Sequence, residues 1–446
     1  MKIRRIEKAA QALATVLLVL LALGACQEKA QLPTTTIFTG SGEVELPLVT
    51  LLVDSGYSVE SENIRNFLDT VPGSDRDFHV EIEVLPNTSS GEMRDQQLQR
   101  IRTAVMAGKG PDIFLTDAFV NVVVDAEIDQ WGVAGKGPLF NFPAQAMENR
   151  LFLPLDNYIA NARFMEFDEL NPQIMALGRN QEGQQLLPMA FDFAVGTYVP
   201  SDYGLPEERP KNRQEMLDSG CPSLCFTAQG GWGRTLLDIF PEAIDQESGH
   251  PGFTEEELLE QAMEYWEQQH TDWGWGPGVF RFGADPSNGS GSISSYILDE
   301  PPGENAVLTP AYNQNHGVTA YVTMFAAINR NASYPDYAFA VLDKLMSRTE
   351  MNEQRIYRGI AAGLPVYTGA AGGEPVFTGC NPPQHLRAQY KELLELVDNV
   401  RFLTSVDQEM VRSLVPVCAG QNSTPQDVEK AVKEVYATMR MLLAES

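Results

Sequence analysis

Between Leu46 and Leu115 apolar runs alternate with amphipathic stretches, and this alternation constrains the fold more than any other feature. Leu46–Val53 is a continuous apolar run, the pattern of a strand covered on both faces. A helix is expected near Glu60–Leu68, then a strand over His79–Leu85. Ser89-Ser90-Gly91-Glu92 has the spacing of a capping box, in which side chains satisfy the free N–H groups of a helix start. Behind it Leu98, Ile101 and Val105 recur on one helical face, and Gly108 stands where the C-cap belongs. Gly110-Pro111-Asp112 then turns the chain into the short apolar run Ile113-Phe114-Leu115. Strand, helix, strand, helix, strand is the order of an open α/β sheet.

The chain has 446 residues, enough for two or three domains. Further helices are expected after Thr254, with Leu258, Ala262 and Trp266 on the buried face; from Ser333 and Pro335; and from Thr424-Pro425, burying Val428, Val432, Val435 and Met439. The glycine- and proline-rich stretch 273–310 has little regular pattern. Asp and Glu number 60 against 32 Lys and Arg, for a net charge of −28. A nucleic-acid partner is therefore not expected, because phosphate neutralisation needs clustered cations.

At the N-terminus, Lys2, Arg4, Arg5 and Lys8 precede an apolar run that ends Leu23-Gly24-Ala25-Cys26. This resembles a bacterial lipobox: residues 1–25 are a signal peptide, and Cys26 becomes a lipid-bearing N-terminus. Residues 26–44 read as a flexible polar tether, and the body as soluble outside the cytoplasm, anchored to the membrane by the lipid alone. The remaining cysteines, Cys221, Cys225, Cys380 and Cys418, allow two disulfides in three connectivities. The short Cys221–Cys225 ring favours that pair, leaving Cys380 with Cys418. No His stands at zinc-ligand spacing from them, so no metal is expected.

The segment Leu98–Phe119, with its core Ala107-Gly108-Lys109-Gly110-Pro111-Asp112-Ile113, resembles the motif of family 1 extracellular solute-binding proteins, the receptors of ABC importers. Leu153-Pro154-Leu155-Asp156 with Gly183 and Pro188, Phe325–Asn329 with Tyr334–Ser347, and Gly363-Leu364-Pro365-Val366 are similar to its later segments, in family order. The resemblance implies an α/β, two-lobed, periplasmic-binding-protein-like (type II) fold with discontinuous lobes and a hinge. Lobe 1 takes 45–190 plus 312–360, and lobe 2 takes 196–311 plus 364–446. Ligand binds between the lobes, which close on it.

In open α/β sheets ligands collect beyond the carboxyl ends of the strands. The first strand delivers Ser55 and Tyr57 to that rim, and the Gly-Pro-Asp strand delivers Thr116 and Asp117. The resemblance makes Asp117 a ligand acceptor; the competing reading is a helix N-cap. Asp112 reads as a turn carboxylate. Phe191 and Asp192 lie on the first crossover, where alternation turns only one of them inward. Trp232, flanked by glycines, and Trp273 and Trp275 suit rings laid on a sugar face, and Tyr312 opens a polar run at the second crossover. No catalytic elbow, P-loop, zinc-protease or EF-hand motif is present. The resulting expectation is a monomeric, non-enzymatic receptor without cofactor, taking a carbohydrate and partnered by the permease subunits of an importer. A peptide or polyamine ligand, and a surface glycoside hydrolase working with two carboxylates, are the alternatives.

Overall fold

The computed structural model describes residues 32–39, 42–54, 61–86, 91–117, 122–125, 130–133, 138–205, 208–228, 244–245, 250–270, 290–292, 305–352, 363–367, 384–418, 420 and 422–444. The first strands are β1 (Thr34–Thr39), β2 (Gly42–Asp54), β3 (His79–Val84) and β4 (Ile113–Asp117). Two small hairpins follow, β5 (Val122–Asp125) with β6 (Gln130–Val133), and β7 (Arg179–Asn180) with β8 (Gly183–Gln184). Then come β9 (Leu186–Asp192), β10 (Ala194–Tyr198) and the pair β11 (Ile244–Asp245) and β12 (His250–Pro251). The last are β13 (Ser290–Ser292), β14 (Val307–Pro310), β15 (Val318–Ile328), β16 (Leu364–Pro365) and β17 (Val397–Phe402).

The main sheet has the order β1-β2-β4-β15-β9-β16, with β3 paired to β2 and β17 paired to β15. Strands β2, β3 and β4 run parallel, joined by the helices Ser61–Leu68 and Gly91–Met106. Every residue of β9 and β15 is buried, which their unbroken apolar runs require. Pro188 cannot donate to a ladder, and the β9–β15 pairing is irregular there: Met324 faces Ala190, and Phe325 faces Pro188. The large core fills both faces of this sheet, from Val49 to Phe402.

A second sheet, β13-β10-β14, carries a smaller core of Tyr198, Met216, Cys221, Leu224, Ala228 and Tyr312. A third cluster is helical. The helices Glu255–His270, Ser405–Cys418 and Pro425–Ala444 pack Leu258, Val406, Leu414, Val428 and Met439 together, with Phe142 and Tyr321 reaching in from the main-sheet side. The capping box at Thr254 is formed: its N–H donates to Glu257 Oε2 at 2.7 Å, and Glu257 N–H donates back to Thr254 Oγ1 at 3.2 Å. Trp266 packs against this cluster, and its indole N–H donates to Ser423 Oγ at 2.9 Å.

Three features differ from the sequence expectations. The polar stretch read as tether contains β1 and the start of β2, an antiparallel hairpin at the sheet edge. An edge strand rich in threonine has β-propensity without needing an apolar period. Strand β17 joins the main sheet through β15, although the expected boundaries give 364–446 to the second lobe. The expected disulfides are not formed either, since Cys221, Cys225 and Cys418 are free buried thiols. Cys221 and Cys225 bracket the first turn of the Pro222–Ala228 helix, with Cys225 N–H donating to Cys221 O at 2.9 Å. Their sulfurs turn to different partners: Cys221 Sγ lies 3.3 Å from Ser223 Oγ, and Cys225 Sγ lies 3.4 Å from Leu217 O. Cys418 Sγ lies 3.5 Å from Ala262 O inside the helical cluster. Cys380 and Cys26 lie outside the described residues.

Burial of these groups sets an alkaline limit on stability. It pushes the Cys225 thiol from 9.0 up to about 11. It also pushes the Tyr198 and Tyr312 phenols from 10.0 up to about 12. Above their ordinary values the unfolded chain gives up protons that the folded chain keeps, so stability falls as pH rises. The contribution is present in full below pH 9 and is lost on the way to pH 11–12. Urea melts at pH 8 and pH 11 should show a lower midpoint at the higher pH; equal midpoints would contradict the burial argument.

Candidate functional site

The strongest candidate site is the edge of the main sheet where parallel strands end. Asp54 at the end of β2 is level with Thr116 on β4, and Asp117 and Ala190 both face Met324 of β15. The carboxyl ends of β2, β4 and β9 therefore share one edge and deliver Asp54, Asp117 and Asp192 to it. β4 and β9 flank β15, so their ends stand two strand spacings, about 10 Å, apart.

The chain crosses to the second sheet beside this edge. Strand β9 ends at Asp192 and β10 begins at Ala194, one residue on. The return passage runs from β14 into β15 and lies against the first, with Ala311 N–H donating to Ala194 O at 2.9 Å. Its turn is fastened by Asn313, whose Oδ1 accepts from Asn315 and Gly317 N–H, while its amide donates to Asp398 Oδ1 at 2.7 Å. A third segment, 363–367, lies alongside: β16 pairs with Phe191 and Ala190. Gly363 sits at φ +130, and a Cβ there would stand 2.7 Å from Phe191 O, so only glycine allows this approach.

The turn that feeds β4 is held from three sides. Asp112 Oδ2 accepts from the N–H and hydroxyl of Thr50 at 2.8 and 2.9 Å, and its Oδ1 accepts from Ser333 N–H at 3.0 Å. Asn329 donates to Lys109 O and Pro111 O. Asp112 is thus the turn carboxylate the sequence suggests. Leu153-Pro154-Leu155-Asp156 and Gly183 also meet, as Asp156 Oδ2 accepts from Gln184 N–H at 2.8 Å. A Cβ at Gly183, at φ +112, would stand 1.8 Å from that oxygen.

The expected site residues fall as follows. Thr116 is buried in the sheet, its hydroxyl 3.5 Å from Phe325 O. Asp117 ends β4 at the edge described above. Phe191 and Asp192 lie on opposite faces of β9, yet both are buried, because a central strand is covered on both sides. Asp192 Oδ1 accepts Phe193 N–H at 2.9 Å. Burial and then the Asp192 carboxylate raise the phenol of Tyr390, which belongs to the helix Gln384–Glu395 beside the crossing. Tyr312 is buried and donates to Pro210 O at 2.6 Å. Ser55, Tyr57, Trp232, Trp273 and Trp275 lie outside the described residues. Among the described residues no His, Cys, Asp and Glu cluster could hold a metal ion.

Sequence reasoning passed over Arg94. It continues the apolar stripe of Leu98, Ile101 and Val105 and is 1 % exposed, with Nη1 donating to Pro86 O at 3.1 Å. Pro86 lies just past the end of β3, so this cation stands beside the candidate edge. The signal was available: a cation on a buried helical face, near a helix start where the dipole opposes it.

No protein-family model matches the chain, and no curated protein matches it. Solved structures do match over nearly the whole chain. One is an extracellular solute-binding protein of family 1 from Alicyclobacillus acidocaldarius, with 15% identity, a TM-score of 0.56, and coverage of 89% of this chain and 99% of that one. Another is the cyclic alpha-maltosyl-1,6-maltose binding protein of Arthrobacter globiformis, with 14% identity, a TM-score of 0.53, and coverage of 90% and 100%. A third is an ABC substrate-binding protein from Listeria monocytogenes in complex with cycloalternan, with 14% identity, a TM-score of 0.53, and coverage of 89% and 99%. The matches also include a chain described as a designed esterase. The fold is therefore the two-lobed α/β fold of extracellular solute-binding proteins, in its type II form, as the resemblance implies. Among the described residues no helix is long and apolar enough to cross a membrane.

Proposed function

We propose that this protein is the extracytoplasmic solute-binding receptor of an ABC importer, taking a carbohydrate, most simply an oligosaccharide, between two closing lobes and presenting it to a membrane permease. The observation that carries the reading is the shared edge of β2, β4 and β9 beside the passages between the two sheets. A ligand there meets strand ends of one lobe and, on closure, groups of the other, so contacts to both exist only in the closed form. The fold likeness supports the ligand class, since proteins of this fold are described as binding maltose-type and other sugars. The hinge falls where the chain passes between the sheets, near 190–196 and 310–312, so that 196–311 belongs to the second lobe while β16 and β17 stay with the main sheet of the first. Cys26 carries the lipid, and the receptor releases its ligand unchanged.

A thermal-shift panel of oligosaccharides tests this. The right sugar should stabilise the fold by RT ln(1 + [L]/Kd), about 2.7 kcal/mol at a hundredfold excess over Kd. Shifts from peptides or polyamines alone would change the ligand class, and cleaved sugar in the mixture would make the protein an enzyme. In the same preparation, fatty-acid labelling should mark the wild type and fail on Cys26→Ser.

A further inference from the structure

A cavity of about 730 Å³ opens at the far end of the second sheet, away from the candidate cleft. Strand β10 leaves the crossing at Ala194 and ends at Tyr198, and the cavity begins at Val199. Five strand residues, roughly 17 Å, separate it from the hinge. Its volume lies within the range of about 300–1,000 Å³ usual for small-molecule sites.

The walls are fixed by bonds that do not involve a ligand. Tyr312 OH donates to Pro210 O at 2.6 Å and Tyr198 OH to Glu208 O at 3.3 Å, pinning the 208–211 segment. On the facing wall, Gln389 of the Gln384–Glu395 helix donates to Ala306 O at 3.0 Å and accepts Leu308 N–H at 2.7 Å. Val199, Pro200, Ala306 and Val307 give the cavity an apolar lining.

The inner polar groups are cationic or donor-bearing, and two are unmet. Arg209 pairs through Nη2 with Glu392, while its Nη1 is buried with no acceptor. His385, on the opposite wall, holds a buried Nε2 with no partner. A guanidinium N–H left without an acceptor costs more than a neutral one, so an oxygen brought to it is favoured. The carboxylates of the lining, on Glu208 and Glu392, belong to exposed residues, whereas Arg209 and His385 are half-buried. Lys211 adds a further exposed cation. The lining balances its charges, Arg209 and Lys211 against Glu208 and Glu392, so the two unmet nitrogens, buried just behind the wall, are what set this cavity apart.

We propose that this cavity is a second binding site, for a small organic carboxylate whose charged group lies between Arg209 and His385 and whose carbon body rests on Val199, Pro200, Ala306 and Val307. The apolar lining favours an organic acid over a bare inorganic anion. A small movement of the two side chains brings their buried nitrogens onto the carboxylate oxygens.

The test uses the full chain and a panel of succinate, citrate, galacturonate and inorganic phosphate, read by saturation-transfer NMR and thermal shift. At least one carboxylate should bind and raise the melting temperature, with phosphate weaker. Arg209→Gln and His385→Gln should each weaken that binding about tenfold, as loss of a charge-assisted hydrogen bond does. Circular dichroism melts establish that both variants fold, and Arg209→Lys serves in place of Arg209→Gln if the latter does not. Asp117→Ala, at the candidate cleft, should leave carboxylate binding unchanged, which separates this site from the proposed receptor site. The proposal is overturned if no carboxylate binds, if phosphate binds as well as the acids, if the Arg209 and His385 variants bind normally, or if Asp117→Ala abolishes binding.

Discussion

Asp407→Ala should lower the unfolding free energy by about 3–5 kcal/mol, the range for breaking a buried ion pair from one side. Asp407 is 1 % exposed and pairs with Arg401, a strand residue of β17 that is itself buried. The same carboxylate closes the helix start: its Oδ2 accepts from the N–H and hydroxyl of Thr404, both at 2.7 Å. The Arg401 guanidinium lies 5.8 Å from the centre of the Tyr321 ring, which belongs to the helical cluster. Removing the carboxylate takes the ion-pair partner from a buried cation between the main sheet and that cluster and frees two donors at the helix end. Urea melts measure the loss. Lys430→Ala is the comparison, because Lys430 and Glu434 are 3.9 Å apart and almost fully exposed, and such pairs contribute about 0–1 kcal/mol. Equal effects of the two substitutions would mean that the Arg401–Asp407 joint does not hold the sheet to the helices. Replacing both partners with apolar residues of similar volume, as in Arg401→Met with Asp407→Leu, should recover much of the stability.

The parts of this architecture legible in the sequence are those dictated locally. Apolar runs bounded by turn residues gave β2, β3 and β4 within a few positions, and the Thr254 box and the start at Pro335 mark real helix ends. The motif pieces that carried the resemblance have a physical reason to sit where they do. Gly183 makes room for the Asp156 carboxylate, and Asp112 ties the turn before β4 to Thr50 and Ser333. What could not be read was long-range. Nothing in Val397–Phe402 announces that it pairs with Val318–Val322 and not within a second lobe. The thiols of Cys221 and Cys225 are one helical turn apart, and only the packing of that helix on β10 shows them directed elsewhere. Arg94 is hidden from an apolar pattern by its charge, yet its position obeys the same period as Leu98 and Val105. At the site, the strand ends were legible, and the burial of Phe191 and Asp192 was not, since it depends on layers that cover β9 from distant segments.

Trp232→Ala and Asp117→Ala should each weaken sugar binding by roughly ten- to a hundredfold, or about 1–3 kcal/mol, while the ligand-free melting temperature stays nearly unchanged. A pyranose presents flat C–H faces between polar edges, and an indole covers such a face without needing hydroxyl partners. Glycines on both sides of Trp232 suit a loop that holds the ring out rather than a packed strand. In the proposed receptor, Asp117 is the complementary group: it ends β4 at the edge shared with β2 and β9, and an ionised carboxylate accepts hydrogen bonds from hydroxyls. If lobe closure depends on contacts from both sides, the double variant should lose the ligand-induced thermal shift, since each single variant already removes one wall of the closed form. The structural alternative gives the opposite pattern. Trp232→Ala would then melt the apo protein early, and Asp117→Ala would fray the segment after β4, with affinity intact in both. Apo melting and calorimetric affinity measured on the same two variants separate these outcomes. Loss of stability with unchanged affinity would remove both residues from the cleft and leave the receptor reading resting on the fold.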